Sequence, residues 1–212
     1  MADSSNYPAR LDIDYPDRPL ERLSSVFRFI WAIPILVILG LLNNGGSTTY
    51  MDEAGKMVTR TGGGAAAGLF LAVLLMILFR QKYPRWWFDF SLELARFGAR
   101  VGSYLALLTD RYPSTDELQD VHLDVDYPDA MKLNRWLPLV KWLLAIPHYI
   151  VLAVLVVIAV FAVIIAWFAI LFTGRYPRGL FDYVVGVGRW SLRVSAYAFL
   201  LVTDEYPPFS LR

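Results

Sequence analysis

Trp142-Leu-Leu-Ala-Ile-Pro-His-Tyr-Ile-Val-Leu-Ala-Val-Leu-Val-Val-Ile-Ala-Val-Phe-Ala-Val-Ile-Ile-Ala-Trp-Phe-Ala-Ile-Leu-Phe-Thr-Gly174 is a run of 33 residues without a formal charge, held between Lys141 and Arg175. As one helix it would be about 50 Å long, against a hydrocarbon core of about 30 Å. Two conventional spans would need about 40 residues plus a turn. A related stretch near the N-terminus is interrupted by Asn43 to Gly64, which carries Asp52, Glu53, Lys56, Arg60 and six glycines. So polar an insert must reach water, and it fits only where the chain already turns at a surface. The reading is a helical hairpin in each place: 26–42 with 62–79 around the flexible loop 43–64, and 137–172. Legs of about 15 to 18 residues lie near the lower limit for crossing, so they imply local bilayer thinning, snorkelling Arg and Lys, or a wedge that stops partway. The alternative for the second run is one long tilted helix kinked at Pro147, since no turn former breaks Val151 to Ile165.

Outward from these runs the chain repeats itself. Arg10-Leu-Asp-Ile-Asp-Tyr-Pro-Asp17 returns as His122-Leu-Asp-Val-Asp-Tyr-Pro-Asp129, and Trp31-Ala-Ile-Pro34 as Leu144-Ala-Ile-Pro147. Tyr83-Pro-Arg85 with Phe88-Asp89 recurs as Tyr176-Pro-Arg178 with Phe181-Asp182, and both copies close on Thr-Asp-x-Tyr-Pro, at Thr109 and Thr203. The pattern is a tandem duplication of roughly 100 residues, 1–113 and 114–212. The fold class expected is a mainly α membrane protein of two tandem repeats, each a short β-strand, a hydrophobic helical hairpin and an interfacial amphipathic helix.

Composition supports that class: apolar residues make up 57% of the chain and charged residues 18%, which points to an integral membrane protein. No apolar run with a small-residue cleavage site precedes the first hydrophobic segment, so no removable signal peptide is expected. The absence of cysteine excludes disulfides and thiol chemistry, and two histidines are too few for a histidine-rich metal centre. No cofactor is expected, and a net charge of +1 gives no electrostatic case for nucleic acid. With both hairpins opening to one side, 18 of the 20 Lys and Arg residues lie on that side, leaving Lys56 and Arg60 opposite. Positive charges mark the cytoplasmic face, so both termini are expected there.

After each hairpin comes a helix of another kind, 89–108 and 182–202. On a helical wheel Asp89, Glu93, Arg96, Arg100 and Tyr104 share one face and Leu94, Phe97, Val101, Leu105 and Leu108 another. Asp182, Arg189, Arg193 and Tyr197 repeat the polar face. Such helices are expected to lie in the headgroup plane, with Arg96, Arg100, Arg189 and Arg193 as anionic-lipid or docking contacts. Gly98 with Gly102, and Ser191 with Ser195, have the small-xxx-small spacing that lets helices approach closely.

Ahead of each hairpin, 9–15 and 121–127 alternate apolar and polar residues as half-buried strands do, and could pair with each other or across subunits. Their faces place Asp12, Asp14, Asp124 and Asp126 as weak candidates for a hard cation; a solvated face, or one fastened to the helix arginines, explains them as well. Seven prolines follow a tyrosine, which reads as punctuation at the membrane surface. His148 invites a proton-relay or metal reading, but its counterpart is Ile35.

Ala166 to Asp182, Arg189-Trp-Ser-Leu-Arg-Val194 and the closing Tyr206-Pro-Pro208 resemble an uncharacterised family of bacterial membrane proteins classed only as a domain of unknown function and common in actinobacteria. The resemblance is close in the second copy and looser in the first. It implies a bacterial plasma membrane and lends no catalytic residues. Three classes of function follow. The preferred one is a non-enzymatic scaffold, membrane-shaping element or accessory subunit, with membrane lipids as partners and a homo-oligomer or larger membrane complex as context. The second is a small transporter or channel built from parallel repeats. The third is a lipid-modifying enzyme at the cytoplasmic surface, which no nucleophile–base pair or phosphate-cradling loop supports.

Overall fold

The structure is a computed structural model, and it describes residues 7–16, 18–51, 56–115 and 117–212. The elements run β1 (Ala9–Ile13), α1 (Arg22–Asn43), β2 (Asn44–Met51), β3 (Met57–Gly63), α2 (Ala65–Arg80), α3 (Arg85–Leu105), β4 (Val121–Val125), α4 (Pro138–Leu144), α5 (Ile146–Thr173) and α6 (Arg178–Ala198). Among the described residues the protein is mostly helical, with two small two-stranded sheets.

Alternation in the two Leu-Asp-x-Asp segments produces the first sheet. β1 and β4 pair antiparallel with Leu11 opposite Leu123 and Asp12 opposite His122. Ala9, Ile13, Val121, Leu123 and Val125 are buried, while Arg10, Asp12, His122 and Asp124 face outward. The buried face rests on two helices in a crossed arrangement: α6, the last helix, packs on β1, and α3 packs on β4. Both helices begin at a Tyr-Pro step. Pro84 and Pro177 hold φ near −63° and −62°, suited to a helix start, and their carbonyls accept the first helical bonds, from Phe88 N and Phe181 N at 3.1 and 3.0 Å.

The first hydrophobic run forms two legs, α1 and α2, which pack on each other. Between them the insert pairs as the antiparallel ribbon β2–β3, with an irregular register between Asn44 and Ser47. A flexible loop was expected over 43–64; residues 52–55 of it lie outside the described residues, and in β2 and β3 strand pairing prevails because Ser47-Thr-Thr-Tyr-Met51 and Met57-Val-Thr-Arg-Thr61 are rich in β-formers around the glycines.

The second run departs from the expected hairpin over 137–172. A short α4 is followed by a single unbroken α5 of 28 residues, about 42 Å long. Two local causes combine. Pro147 falls in the first turn, where its missing N–H breaks no helical bond and its ring clashes with no earlier carbonyl, and nothing from Val151 to Ile165 favours a turn. The helix stops at Gly174, whose φ of +72° closes the last turn through Gly174 N to Ile170 O at 2.8 Å. The Gly174 carbonyl then accepts Leu20 N at 2.8 Å, fixing the end of α5 beside the start of α1.

α1 and α5 are long and apolar enough to cross a membrane, and α2 is a shorter apolar helix. Along α5 one narrow stripe, Leu152, Ala159, Ala162, Ala166 and Ile170, is buried against the rest of the protein. Its other faces, Val154, Phe161, Ile165 and Phe172 among them, are exposed, as are Leu23, Phe29, Ile30 and Leu41 on α1.

Candidate functional site

The outward face of the β1–β4 sheet gathers the aspartates and half of the arginines singled out from sequence. Arg96 in α3 donates from Nε to Leu123 O at 2.8 Å and from Nη2 to Asp124 at 2.7 Å, with Nη1 on Glu93 at 2.7 Å. Arg189 in α6 repeats the grip on the other strand, Nε to Leu11 O at 2.8 Å and Nη2 to Asp12 at 2.6 Å. Arg10 pairs with Asp126 at 2.8 Å, and His122 Nε2 lies 3.0 Å from Asp14. Each of the four aspartates thus faces a basic side chain. No group of three or more metal-ligating side chains comes together among the described residues. The tyrosines that follow the strands latch the same helices. Tyr15 OH donates to Tyr176 O at 2.5 Å and Tyr127 OH donates to Tyr83 O, while Arg178 and Arg85 lie over the Tyr15 and Tyr127 rings at 4.5 and 5.4 Å.

Arg100 and Arg193 turn inward. They are 5% and 2% exposed, and donate to Ser114 O at 2.9 Å and to Ser210 O. A lipid phosphate needs an exposed guanidinium, so the headgroup contact expected of Arg100 and Arg193 gives way to an internal one: the segment after each helix folds back and covers the charge. Burial pushes the Arg193 guanidinium below its ordinary value.

Two buried cations escaped the sequence reading. Arg28, 1% exposed, donates to Tyr104 O and Thr109 O at 2.8 and 2.9 Å and pairs with Asp110. Lys141, 0% exposed, donates to Thr203 O and pairs with Asp204, both at 2.7 Å. Each lies near a tyrosine ring, Arg28 over Tyr104 at 4.6 Å and Lys141 over Tyr197 at 5.2 Å. Burial lowers the Lys141 ammonium from its ordinary value and Asp204 pulls it partly back. A signal was present: each cation stands three residues before an x-Ala-Ile-Pro segment, and each acid belongs to a Thr-Asp-x-Tyr-Pro segment.

His148 is sealed rather than open to a pathway. Its Nδ1 accepts a hydrogen bond from Trp190 Nε1 at 3.0 Å, and Phe209 stacks on the ring at 4.0 Å. The Trp190 donor needs a bare Nδ1, which fixes the ring in the neutral form with its proton on Nε2.

Between the sheet and the helices lies a cavity of about 770 Å³. Leu11, Ile13 and Leu123 border it from the sheet, Leu39 from α1, Phe70 and Val73 from α2, and small residues of α3 and α6 from the sides. None of the lining residues carries a charge. Gly98, Gly102 and Ser195 are among them, while Ser191 is half-buried outside the lining. A Cβ at Gly98 or Gly102 would meet no atom within 4 Å. The close helix approach expected at Gly98 and Gly102 is therefore corrected to open space, because the β1–β4 sheet bridges α3 and α6 across the gap.

Residues 136–210 match the family model described as "Domain of unknown function (DUF4389)", so the C-terminal part of the chain carries a domain of unknown function. Comparison with curated proteins and with solved structures gives no match.

Proposed function

We propose that this protein is a non-enzymatic membrane module of two related halves, embedded in the bacterial plasma membrane and acting as a scaffold, membrane-shaping element or accessory subunit of a larger membrane complex. One observation carries the reading: α1 and α5 combine high hydropathy with low burial. A core helix of a soluble protein buries most of its surface, whereas these two leave theirs outside, where water would make the exposure costly. Lipid is the solvent in which such a surface is stable. The halves reading draws support from paired contacts: Arg96 with Arg189, Arg28 with Lys141, and Tyr127 with Tyr15 each perform one task in two places.

The bilayer-shaping role follows from asymmetry. A crossing α1 would part β1, which precedes it, from the β2–β3 ribbon, which follows it, so more area is expected in one leaflet than in the other. A solute path is less supported, since no residue lining the cavity carries a charge. The test is reconstitution. Purified protein added to liposomes of mixed zwitterionic and anionic lipid is expected to resist carbonate extraction and to tubulate or thin the vesicles without releasing an entrapped dye; extraction at alkaline pH, or dye release without a change of vesicle shape, would refute the reading.

A further inference from the structure

We infer that the cavity beneath the β1–β4 sheet is a binding site for one acyl chain of a bilayer phospholipid, which enters laterally from the hydrocarbon region; the inference rests on the membrane reading above. A volume of about 770 Å³ lies within the range of ligand pockets and far above the voids that packed interiors leave empty. The lining chemistry selects the occupant. Without a charged residue and with hydroxyls only on Ser91, Ser103, Ser195 and Tyr83, the cavity cannot stabilise a headgroup or an ion. Tyr83 spends its hydroxyl on Leu200 O at 2.8 Å. What remains is a surface matched to hydrocarbon.

The rim points to the source. Ala67, Gly102 and Phe199 line the cavity and are exposed, and Phe70 meets Phe199 edge-on at 6.2 Å across α2 and the end of α6. On the outside of the same legs stand exposed Leu71 in α2 and Leu41 in α1. The apolar lining therefore continues onto the surface that faces lipid, so a chain can pass from bilayer to cavity without crossing a polar barrier. The glycines hold the space open: at Gly98 and Gly102 the missing side chains would project into room that no neighbour fills.

The experiment uses the full-length protein reconstituted with phosphatidylcholine bearing a diazirine in one acyl chain. Photolysis and peptide mapping are expected to place adducts on the cavity segments 94–106 and 184–200 as well as on the lipid-facing side of α5. Gly98→Leu and Gly102→Leu, each fitting open space, are expected to keep or raise thermal stability while cutting cavity adducts by about tenfold, the equivalent of 1.4 kcal/mol. Ile165→Leu, on the exposed side of α5, should leave them unchanged. Adducts confined to α1 and α5, or undiminished in both glycine variants, overturn the inference. So does labelling by a diazirine fatty acid added from water when the phospholipid gives none, because lateral access would then fail. Self-association of the native protein that both glycine variants abolish would assign the space to a second copy and overturn it too. Loss of membrane association in carbonate extraction is read separately and refutes the membrane reading itself.

Discussion

Arg96 and Asp124, 28 residues apart in sequence, meet at 2.7 Å, and the same guanidinium caps the Leu123 carbonyl of β4 at 2.8 Å. The pairing turns an amphipathic helix into a clamp on a strand, and Arg189 closes the matching clamp on Leu11 and Asp12. Removing one clamp leaves a strand carbonyl short of a donor. Arg96→Met and Arg189→Met are each expected to cost about 1 to 2 kcal/mol. At this chain length that is a fall of roughly 2 to 8 °C in Tm, measured in detergent. The carboxylate pairs are well exposed, so most of the loss should persist at high salt.

The buried Arg28–Asp110 pair is a harder dependency. Arg28→Met strands Asp110 and two backbone carbonyls in a dry setting, with an expected cost of about 3 to 5 kcal/mol. Arg28→Met combined with Asp110→Leu should recover part of that, because no orphaned charge remains. Unfolding of all three variants, followed by circular dichroism, checks the order.

Lys141 gives stability a dependence on pH. Its folded pKa lies below the ordinary 10.5, so between that lowered value and 10.5 the unfolded chain binds more protons and stability rises with pH. Below the folded pKa the full cost of burying the ammonium is present. Above about pH 10 the buried Tyr83 phenol, whose pKa is raised by burial, opposes the trend by staying protonated in the fold. Thermal melts from pH 7 to 10 should rise for the native chain relative to Lys141→Met, which lacks the titrating group.

The absence of cysteine makes topology measurable with single reporters. Thiols introduced at Ser47, in the β2–β3 ribbon, and at Ser114 are expected to label from opposite faces of sealed vesicles, since one leg of the first hairpin separates the ribbon from the rest. Labelling of Ser47 and Ser114 from one face would refute the arrangement.

His148 is expected to act through packing. His148→Phe keeps the stack on Phe209 but removes the acceptor for buried Trp190, at a cost of about 1 to 3 kcal/mol. A melting curve that shifts without altering vesicle shape changes would match that role.

Local patterns carried much of this architecture in the sequence. Alternation around Asp12 and Asp124 marked the strands, and the apolar face through Phe97 and Val101 marked α3, because both depend on periodicity within a few residues. What escaped was set at a distance. Asn43 to Gly64 suggested that the second run must also turn, yet the turn in the first run is made by the insert itself, so its absence lets α5 run straight. Arg100 and Arg193 looked available because the segments that cover them, near Ser114 and Ser210, arrive after the helices end. Gly98 and Gly102 carried a spacing that permits contact, but spacing does not say whether a neighbour comes; here the β1–β4 bridge sets the helices around a void.

The crossed grips have a bearing on biosynthesis. β1 is made before β4 and α6, the two elements that hold it. The strand therefore waits about 110 residues of translation for its ladder with β4 and some 180 for the grip of Arg189. A nascent chain stalled before β4 would carry an unclaimed β-edge, the species that quality-control proteases are best placed to remove.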